Sequence, residues 1–217
     1  MTSHEAFFAD LKNAVLGYEA DECEKLAIKA LEEKIDPLKV VEALTEAITE
    51  VGDAFGRGDI FLPELIIAGE AVKRSQAVLD KELKKMGHKR KAIGRFLVGT
   101  VAGDIHDIGK NIVAALFEAS GFEVIDLGID VSAEKFMASI KEHQPDLVGL
   151  SALLTTTAPQ QKEIIESIKK AGMREKTKVI VGGGAITQDF ADLIGADGYA
   201  ATAPAGVEIA KKLMGIG

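Results

Sequence analysis

The feature that most constrains the fold is a change in the spacing of apolar residues near position 88. From Glu5 to Met86 they recur at the three- and four-residue intervals of amphipathic helices, without strand-like runs of valine and isoleucine. Beyond position 88, short apolar runs of strand length alternate with amphipathic segments. We therefore predict a helical domain at residues 1–88 and an α/β domain at residues 89–217.

The first domain is predicted to contain four helices, because the apolar residues of each segment fall on one face. The third begins at Pro37, after the N-cap residue Asp36, and the fourth begins at Pro63. Such helices pack as a four-helix bundle. The other predicted bounds are about residues 4 to 17 for the first helix, about 21 to 34 for the second, Gly56 and Gly58 for the end of the third, and Gly87 for the end of the fourth.

The apolar runs of the second domain are apolar on both faces, which indicates a parallel sheet covered by helices on both sides. Five such strands, alternating with five helices, predict an open flavodoxin-like (Rossmann-type) sheet with strand order 2-1-3-4-5. The chain reverses direction between strands one and three, so the loops after those strands are expected to bind the ligand. The predicted strands are Phe96–Val101, Val124–Leu127, Leu147–Leu150, Val179–Val181 and a weak Gly198–Ala201.

The loop after the first predicted strand places His106 between Asp104 and Asp107. Neutral imidazole is a good ligand for a transition metal, and a neighbouring carboxylate can hold its other ring nitrogen, a role open to Asp104. Asp107 directly precedes a helix, which favours a capping role. A lone loop histidine is usually just hydrogen-bonded, but the position of His106 at the switch point favours a ligand.

Two other loops are expected at the same edge of the sheet. Ser151–Thr157, after the third strand, is rich in small residues and hydroxyls, and Gly182–Ala185, after the fourth, lets the backbone approach a bulky ligand. Glycines at a strand end can also merely form a turn. The chain lacks G-x-G-x-x-G and Walker A patterns, which disfavours a nucleotide, and Asp104 alone does not make a phospho-acceptor pocket.

Composition narrows the class of protein. With 26 Lys and Arg against 34 Asp and Glu, the formal net charge of -8 disfavours nucleic acid. The short basic cluster His88–Lys91 is interpreted as a solvated linker, and the single cysteine, Cys23, as an apolar filler. Neither a signal peptide nor a membrane-spanning run is recognisable, so we expect a cytoplasmic protein without membrane contact.

The segment Gly99–Val113 contains the pattern D-x-H-x-x-G and closely resembles the signature of cobalamin-binding proteins. Ser151-x-Leu153 resembles a second element of that family, and Gly183-Gly184 resembles its paired glycines. The helical half resembles the cap of cobalamin-dependent methionine synthase. It is equally similar to the small corrinoid proteins that serve methanol, methylamine, betaine or methoxyaryl methyltransferases.

This resemblance implies a cobalamin cofactor, in hydroxo or methyl form, bound base-off with His106 as the lower ligand of cobalt. Asp104 and Thr157 would extend the ligand into a relay, and Phe55 and Leu62 would shield the upper face of the corrin ring. The implied cofactor contacts are Gly103, Asp104, Ile105, His106, Asp107, Ile108, Gly109, Ser151, Leu153, Thr155, Thr157, Gly182, Gly183, Gly184, Ala185, Asp197, Tyr199, Phe55 and Leu62.

The implied function is that of a corrinoid methyl carrier in the one-carbon metabolism of methanogenesis or acetogenesis. A substrate:corrinoid methyltransferase would methylate it, preferably from methylamines or betaines. A second methyltransferase would pass the methyl group to tetrahydrofolate or coenzyme M, and a reductive activator would restore the cobalt. The chain shows no complete active site of its own. Two alternatives are a cobalamin-based sensor and the small subunit of a mutase, both of which would carry an adenosyl form.

Overall fold

The computed structural model describes residues 3–86 and 92–216. The predicted helix stop Gly87 and the basic cluster His88–Lys91 lie outside these ranges. The helices of the described part are α1 Ser3–Leu16, α2 Ala20–Glu32, α3 Pro37–Arg57, α4 Leu62–Lys85, α5 Ile108–Ala119, α6 Ala133–His143, α7 Pro159–Lys170, α8 Gln188–Ile194 and α9 Ala203–Leu213. Its strands are β1 Arg95–Thr100, β2 Glu123–Asp126, β3 Leu147–Ser151, β4 Lys178–Gly182 and β5 Gly198–Ala200.

The described residues form two compact units, of which one holds α1–α4 and the other holds the sheet with α5–α9. The predicted boundary between residues 88 and 89 falls in the part outside the description and stays a prediction. None of the described helices combines the length and the apolar character that a membrane span requires.

The ends of α3 follow from its terminal residues. The Asp36 carboxylate accepts a hydrogen bond from the backbone N–H of Leu38 at 3.0 Å, which satisfies one free amide of the first turn. At the other end Gly58 adopts a left-handed conformation with φ +78°. Gly56 lies inside the last helical turn, so the prediction that it ends the helix was wrong. The helix α4 begins one residue before the predicted Pro63.

The first unit is a helical bundle, as predicted. Its core holds fully buried side chains from each helix, and Cys23 belongs to this core. Burial raises the pKa of the Cys23 thiol to about 11, so this side chain behaves as a small apolar residue. Arg74 ties α4 to α2 through hydrogen bonds to Asp21 at 2.9 Å and to Glu24 at 2.8 Å. The largest buried side chains are Leu11, Leu44, Ile48, Leu65, Leu79 and Leu83.

The second unit confirms the predicted sheet, in the order β2-β1-β3-β4-β5 with parallel pairing throughout. Alternate strand residues face opposite sides of a sheet. Leu97 and Val148 pack in a core with α6, α7 and α8, whereas the ring of Phe96 stacks on Phe117 of α5 with centroids 3.8 Å apart. The register pairs Thr100 with Ser151, and Ser151 with Gly182. The loops predicted to bind the ligand therefore leave the sheet side by side.

A close contact beneath the site yields a stability prediction. A Cβ atom at Gly149 of β3 would lie 2.5 Å from the Phe96 ring, so Gly149→Ala should lower the free energy of unfolding by about 1 to 3 kcal/mol through overpacking. In the matched control Gly206→Ala, the new Cβ meets atoms only at 3.4 and 3.6 Å. That helical variant should be no less stable than wild type. Urea unfolding of both variants checks this, and equal stabilities would contradict the packing argument.

Candidate functional site

The loop between β1 and α5 presents His106 on the Asp104 carboxylate. The Asp104 Oδ1 atom accepts the backbone N–H of His106 at 3.0 Å and lies 2.7 Å from the Nδ1 atom of the same imidazole. Asp104 is fully buried, whereas the His106 side chain is 48% exposed. The carboxylate therefore holds the imidazole at its Nδ1 atom, and about half of the side chain stays accessible.

The other carboxylate oxygen of Asp104 is held by the loop after β3. Its Oδ2 atom accepts hydrogen bonds from the Leu153 N–H and the Thr157 hydroxyl, both at 2.8 Å, and lies 3.4 Å from the Leu154 nitrogen. These bonds join the first and third strand loops, as the strand order predicted.

The protonation of the pair follows from this environment. Burial by itself would raise the pKa of Asp104, but hydrogen bonds from His106, Thr157 and Leu153 hold that pKa well below its usual 3.8. Asp104 is therefore ionised at neutral pH, and because an ionised carboxylate can only accept, the Nδ1 atom of His106 is the donor in this contact. The Nε2 atom then carries the lone pair that a metal requires.

The backbone of the same loop is held by two residues that sequence reasoning missed. The Thr100 hydroxyl donates to the His106 carbonyl at 3.0 Å. Asp130, after β2, accepts from the Gly103 N–H at 2.7 Å and donates its own N–H to the Asp104 carbonyl at 3.0 Å. Both residues lie at the carboxyl edge of the sheet, where the predicted strand order placed the site, and that position is the signal that could have revealed them.

The loops that hold the half-exposed histidine also carry exposed apolar side chains. Ile105 and Ile108, on either side of it in sequence, are 70% and 75% exposed, and Leu153 and Leu154 of the β3–α7 loop are 42% exposed each. Large apolar side chains that share the loops of a site favour an apolar ligand or partner surface. All but Leu154 were predicted to contact the cofactor.

Beside this loop the sheet unit contains a cavity of about 430 Å³. It lies over the ends of β3 and β4, next to α5 and α9, and its walls are mostly apolar. Predicted cofactor contacts on its walls are Gly109, Ser151, Gly182, Gly183, Gly184 and Tyr199; further lining residues include Phe96, Phe117, Lys110, Ala201, Thr202 and Gly206.

Two of the lining glycines have different surroundings. Gly183 has φ +125°, and a Cβ there would lie 2.0 Å from the Ala152 carbonyl oxygen, so the fold itself demands glycine. At Gly109 no heavy atom lies within 4 Å of an added Cβ, so the fold would accept a side chain. The glycine of the D-x-H-x-x-G pattern therefore keeps space open in the cavity.

Lys110 is a third residue that sequence reasoning missed. It lines the cavity and is almost fully buried, and its ammonium contacts the Asp126 carboxylate and the Asn111 side-chain oxygen, the latter at 2.7 Å. A buried ammonium is tolerated only when it is paired. The pair links the first turn of α5 to the end of β2.

Some predicted contacts lie elsewhere. Asp197 is not among the cavity residues: its carboxylate binds Arg174 and accepts the Val179 N–H at 2.7 Å, at the amino-terminal end of β4 and β5. These contacts give Asp197 a structural role, and its predicted contact with the cofactor stays a prediction. Ala185 follows the lining glycines without lining the cavity itself.

The structure locates the remaining predicted cofactor contacts but does not test their predicted roles. Thr155 is exposed in the β3–α7 loop, and the Asp107 carboxylate accepts the Asn111 side-chain amide at 3.1 Å. Phe55 of α3 and Leu62 of α4 are half-buried in the helical unit. The capping role of Asp107 and the shielding role of Phe55 and Leu62 stay predictions.

The chemistry of the side chains indicates how a metal would be held. In residues 3–86 and 92–216, no three His, Cys, Asp or Glu side chains are grouped so that they could hold one metal ion. The fold and site thus define a class: a flavodoxin-like domain with a half-exposed histidine and an adjoining cavity at the carboxyl edge of its sheet.

Comparison with known proteins identifies the family. Residues 94–208 match a B12 binding domain, and residues 8–80 match a second model with the same description. The chain belongs to this B12-binding family and, within it, to the corrinoid proteins.

Individual relatives support this assignment. A corrinoid protein of Desulfitobacterium hafniense is 45% identical over 95% of this chain and 96% of its own length. Trimethylamine corrinoid protein 2 of Methanosarcina mazei is 39% identical over the full length of both chains. The methanol:cobalamin methyltransferase complex MtaBC of Methanosarcina barkeri matches with a TM-score of 0.89 and 30% identity, over 99% of this chain and 81% of that one.

These findings confirm the predicted resemblance, the fold and the cobalamin-binding character of the chain. They also confirm that its relatives belong to corrinoid methyltransferase systems, and a methyl-carrier role agrees with them. The methyl donor is not specified by these comparisons.

Removing the Thr157 hydroxyl should weaken the site before any cofactor is added. Thr157→Val takes a donor from the buried Asp104 carboxylate and should lower the free energy of unfolding at pH 7 by about 1 to 3 kcal/mol. A carboxylate whose pKa is depressed by folding stabilises the folded protein at pH values above its ordinary pKa, and this stabilisation is lost as the pH falls. Thr157→Val should weaken the depression, so acid unfolding of the variant should begin at a higher pH than that of wild type. Thr157→Ser keeps the donor and should behave like wild type. Circular dichroism during acid and urea titrations measures both effects, and identical curves for the Val and Ser variants would refute this role.

Proposed function

We propose that this protein is a methyl carrier that binds cobalamin base-off, with the Nε2 atom of His106 as the lower ligand of cobalt. The observation that carries the proposal is the buried Asp104 carboxylate, which lies 2.7 Å from His106 Nδ1 and so directs Nε2 to a ligand. Bound cobalamin would supply a cobalt centre that accepts a methyl group and later releases it.

The residues of the chain would orient and regulate this ligand. Asp104 holds the imidazole in the tautomer that coordinates, and Thr157 fixes the other oxygen of that carboxylate. In the predicted relay of His106, Asp104 and Thr157, the hydroxyl and the carboxylate would keep the Nε2 atom of the imidazole directed at the cobalt.

The cavity fits the nucleotide tail of the cofactor. A base-off cofactor must place its tail away from cobalt, and the cavity begins at the same carboxyl edge of the sheet as His106. Its apolar walls, and the space left at Gly109, suit a flat aromatic base. We infer that the exposed Ile105, Ile108 and Leu153 lie against the corrin ring, where they would exclude water from the lower face.

The partners follow from the relatives and from what the described residues do not contain. One solved relative is a complex with a methyltransferase, and another relative is named for trimethylamine. The described part of this chain offers no cluster for activating a substrate through its own metal ion. We infer that a substrate:corrinoid methyltransferase, with a methylamine-class donor, methylates the carrier.

The later steps require further proteins. A second methyltransferase would transfer the methyl group to tetrahydrofolate or coenzyme M, and a reductive activator would restore oxidised cobalt. Phe55 and Leu62 would shield the upper face between these encounters. We place these reactions in the cytoplasm.

Replacing the ligand tests the central assignment. After reconstitution with hydroxocobalamin and mild reduction, wild type should show a nitrogen splitting in the electron paramagnetic resonance spectrum of Co(II). His106→Ala should lose it, because the coordinating nitrogen is gone. His143→Ala, at the end of α6, should keep it and serves as the matched control. An unchanged spectrum in His106→Ala would exclude this ligand.

Filling the cavity mouth tests the place of the tail. Gly109→Leu should reduce cobalamin affinity at least about tenfold, because its side chain occupies space that the apo fold leaves open. Its melting temperature should not fall, since helices favour leucine over glycine. Cobinamide, which lacks the nucleotide tail, should lose less affinity than cobalamin. Equal losses for both corrinoids would place the tail elsewhere.

A further inference from the structure

Asp130 makes an unusual pair of contacts with the loop that carries His106. Its Oδ1 atom accepts the Gly103 N–H at 2.7 Å, and its own N–H donates to the Asp104 carbonyl at 3.0 Å. One residue thus fixes both ends of the dipeptide that supplies the Asp104 carboxylate. It reaches this loop from the connection between β2 and α6, outside all three elements of the cobalamin signature.

The backbone of Asp130 has an uncommon, left-handed conformation and is held by its neighbours. It has φ +51°, in the left-handed region that residues other than glycine, asparagine and aspartate seldom adopt. The next residue, Val131, pairs with Val101 in an isolated parallel bridge and donates its N–H to the Thr100 carbonyl at 3.0 Å. The bridge therefore extends the edge of the sheet as far as the loop and holds Asp130 against it. Local strain that persists in a well-held segment is often tied to a function.

The position of Asp104 determines the position of the ligand. Asp104 Oδ1 contacts both the N–H and the Nδ1 atom of His106, so any shift of its backbone moves the imidazole. The loop after β3 holds only the carboxylate, through Oδ2. Asp130 supplies the opposing hold on the backbone. Without Asp130, the Asp104 carboxylate could stay with its donors in the β3–α7 loop while the backbone of Asp104 moved.

We propose that Asp130 is a positioning residue for the cobalt ligand, and that its contacts with Gly103 and Asp104 keep His106 Nε2 at coordinating distance. This rests on the proposed function, in which His106 ligates cobalt. A ligand that binds oxidised cobalt better than Co(I) lowers the Co(II)/Co(I) midpoint potential. Weaker positioning should therefore lower the fraction of histidine-ligated Co(II) and make the potential less negative.

Three substitutions at this position separate the acceptor, the charge and the backbone strain. Asp130→Asn keeps an Oδ1 acceptor, loses the charge and tolerates the left-handed backbone. Asp130→Gly loses the acceptor while relieving the strain, and Asp130→Ala loses the acceptor and adds strain. In Asp130→Gly the ratio of ligated to unligated Co(II) should fall about fivefold, the range for one lost hydrogen bond. Asp130→Asn should stay within about twofold of wild type.

The readouts are the nitrogen splitting of Co(II) and the midpoint potential, with circular dichroism as a check on folding. A merely structural role would change the melting temperature without changing ligation in the folded, loaded protein. Wild-type ligation in Asp130→Gly, or equal losses in the Gly and Asn variants, would overturn the proposal. If wild type showed no nitrogen splitting, or a splitting that His106→Ala did not remove, the proposed function would fail instead. The two failures are therefore distinguishable.

Discussion

The site depends on one buried charge, the Asp104 carboxylate. An ionised carboxylate inside a protein is tolerated only when hydrogen bonds replace its lost hydration, and here the donors are the His106 amide and ring, the Leu153 amide and the Thr157 hydroxyl. The same bonds keep its pKa low, determine the tautomer of the imidazole and tie two strand loops together. Folding of the two loops and orientation of the His106 ring therefore depend on the same hydrogen bonds.

The topology makes this possible. In a sheet of order β2-β1-β3-β4-β5, the carboxyl ends of β1 and β3 are neighbours, and the connections that follow them lead to opposite faces. The gap that results accommodates both the Asp104 loop and the cavity beside it. Small residues along β3 and β4 keep that space open, and Gly183 allows its loop to pass within reach of Ala152.

Much of this could be predicted from the sequence. Apolar spacing predicted the helices and the sheet order because burial imposes period 3.6 on helices and continuous apolar runs on parallel strands. The motif predicted His106 and Asp104. Asp130 and Lys110 were missed, because their roles arise from contacts between loops that are distant in sequence and carry no local pattern. Asp197 is a different case: a local resemblance predicts a cofactor contact there, which stays a prediction, and the structure shows its ion pair with Arg174 at the amino-terminal end of β4 and β5.

The central claim is that a nitrogen of this chain, and not of the cofactor, coordinates cobalt from below. It is tested most directly by labelling all four histidines with ¹⁵N, loading the protein with unlabelled cobalamin and recording the Co(II) paramagnetic resonance spectrum. If a histidine of this chain is the ligand, each cobalt line, split into three by ¹⁴N in the unlabelled protein, becomes split into two by ¹⁵N. A threefold splitting that survives labelling would show that the lower base of the cofactor still holds the metal, and would contradict the account.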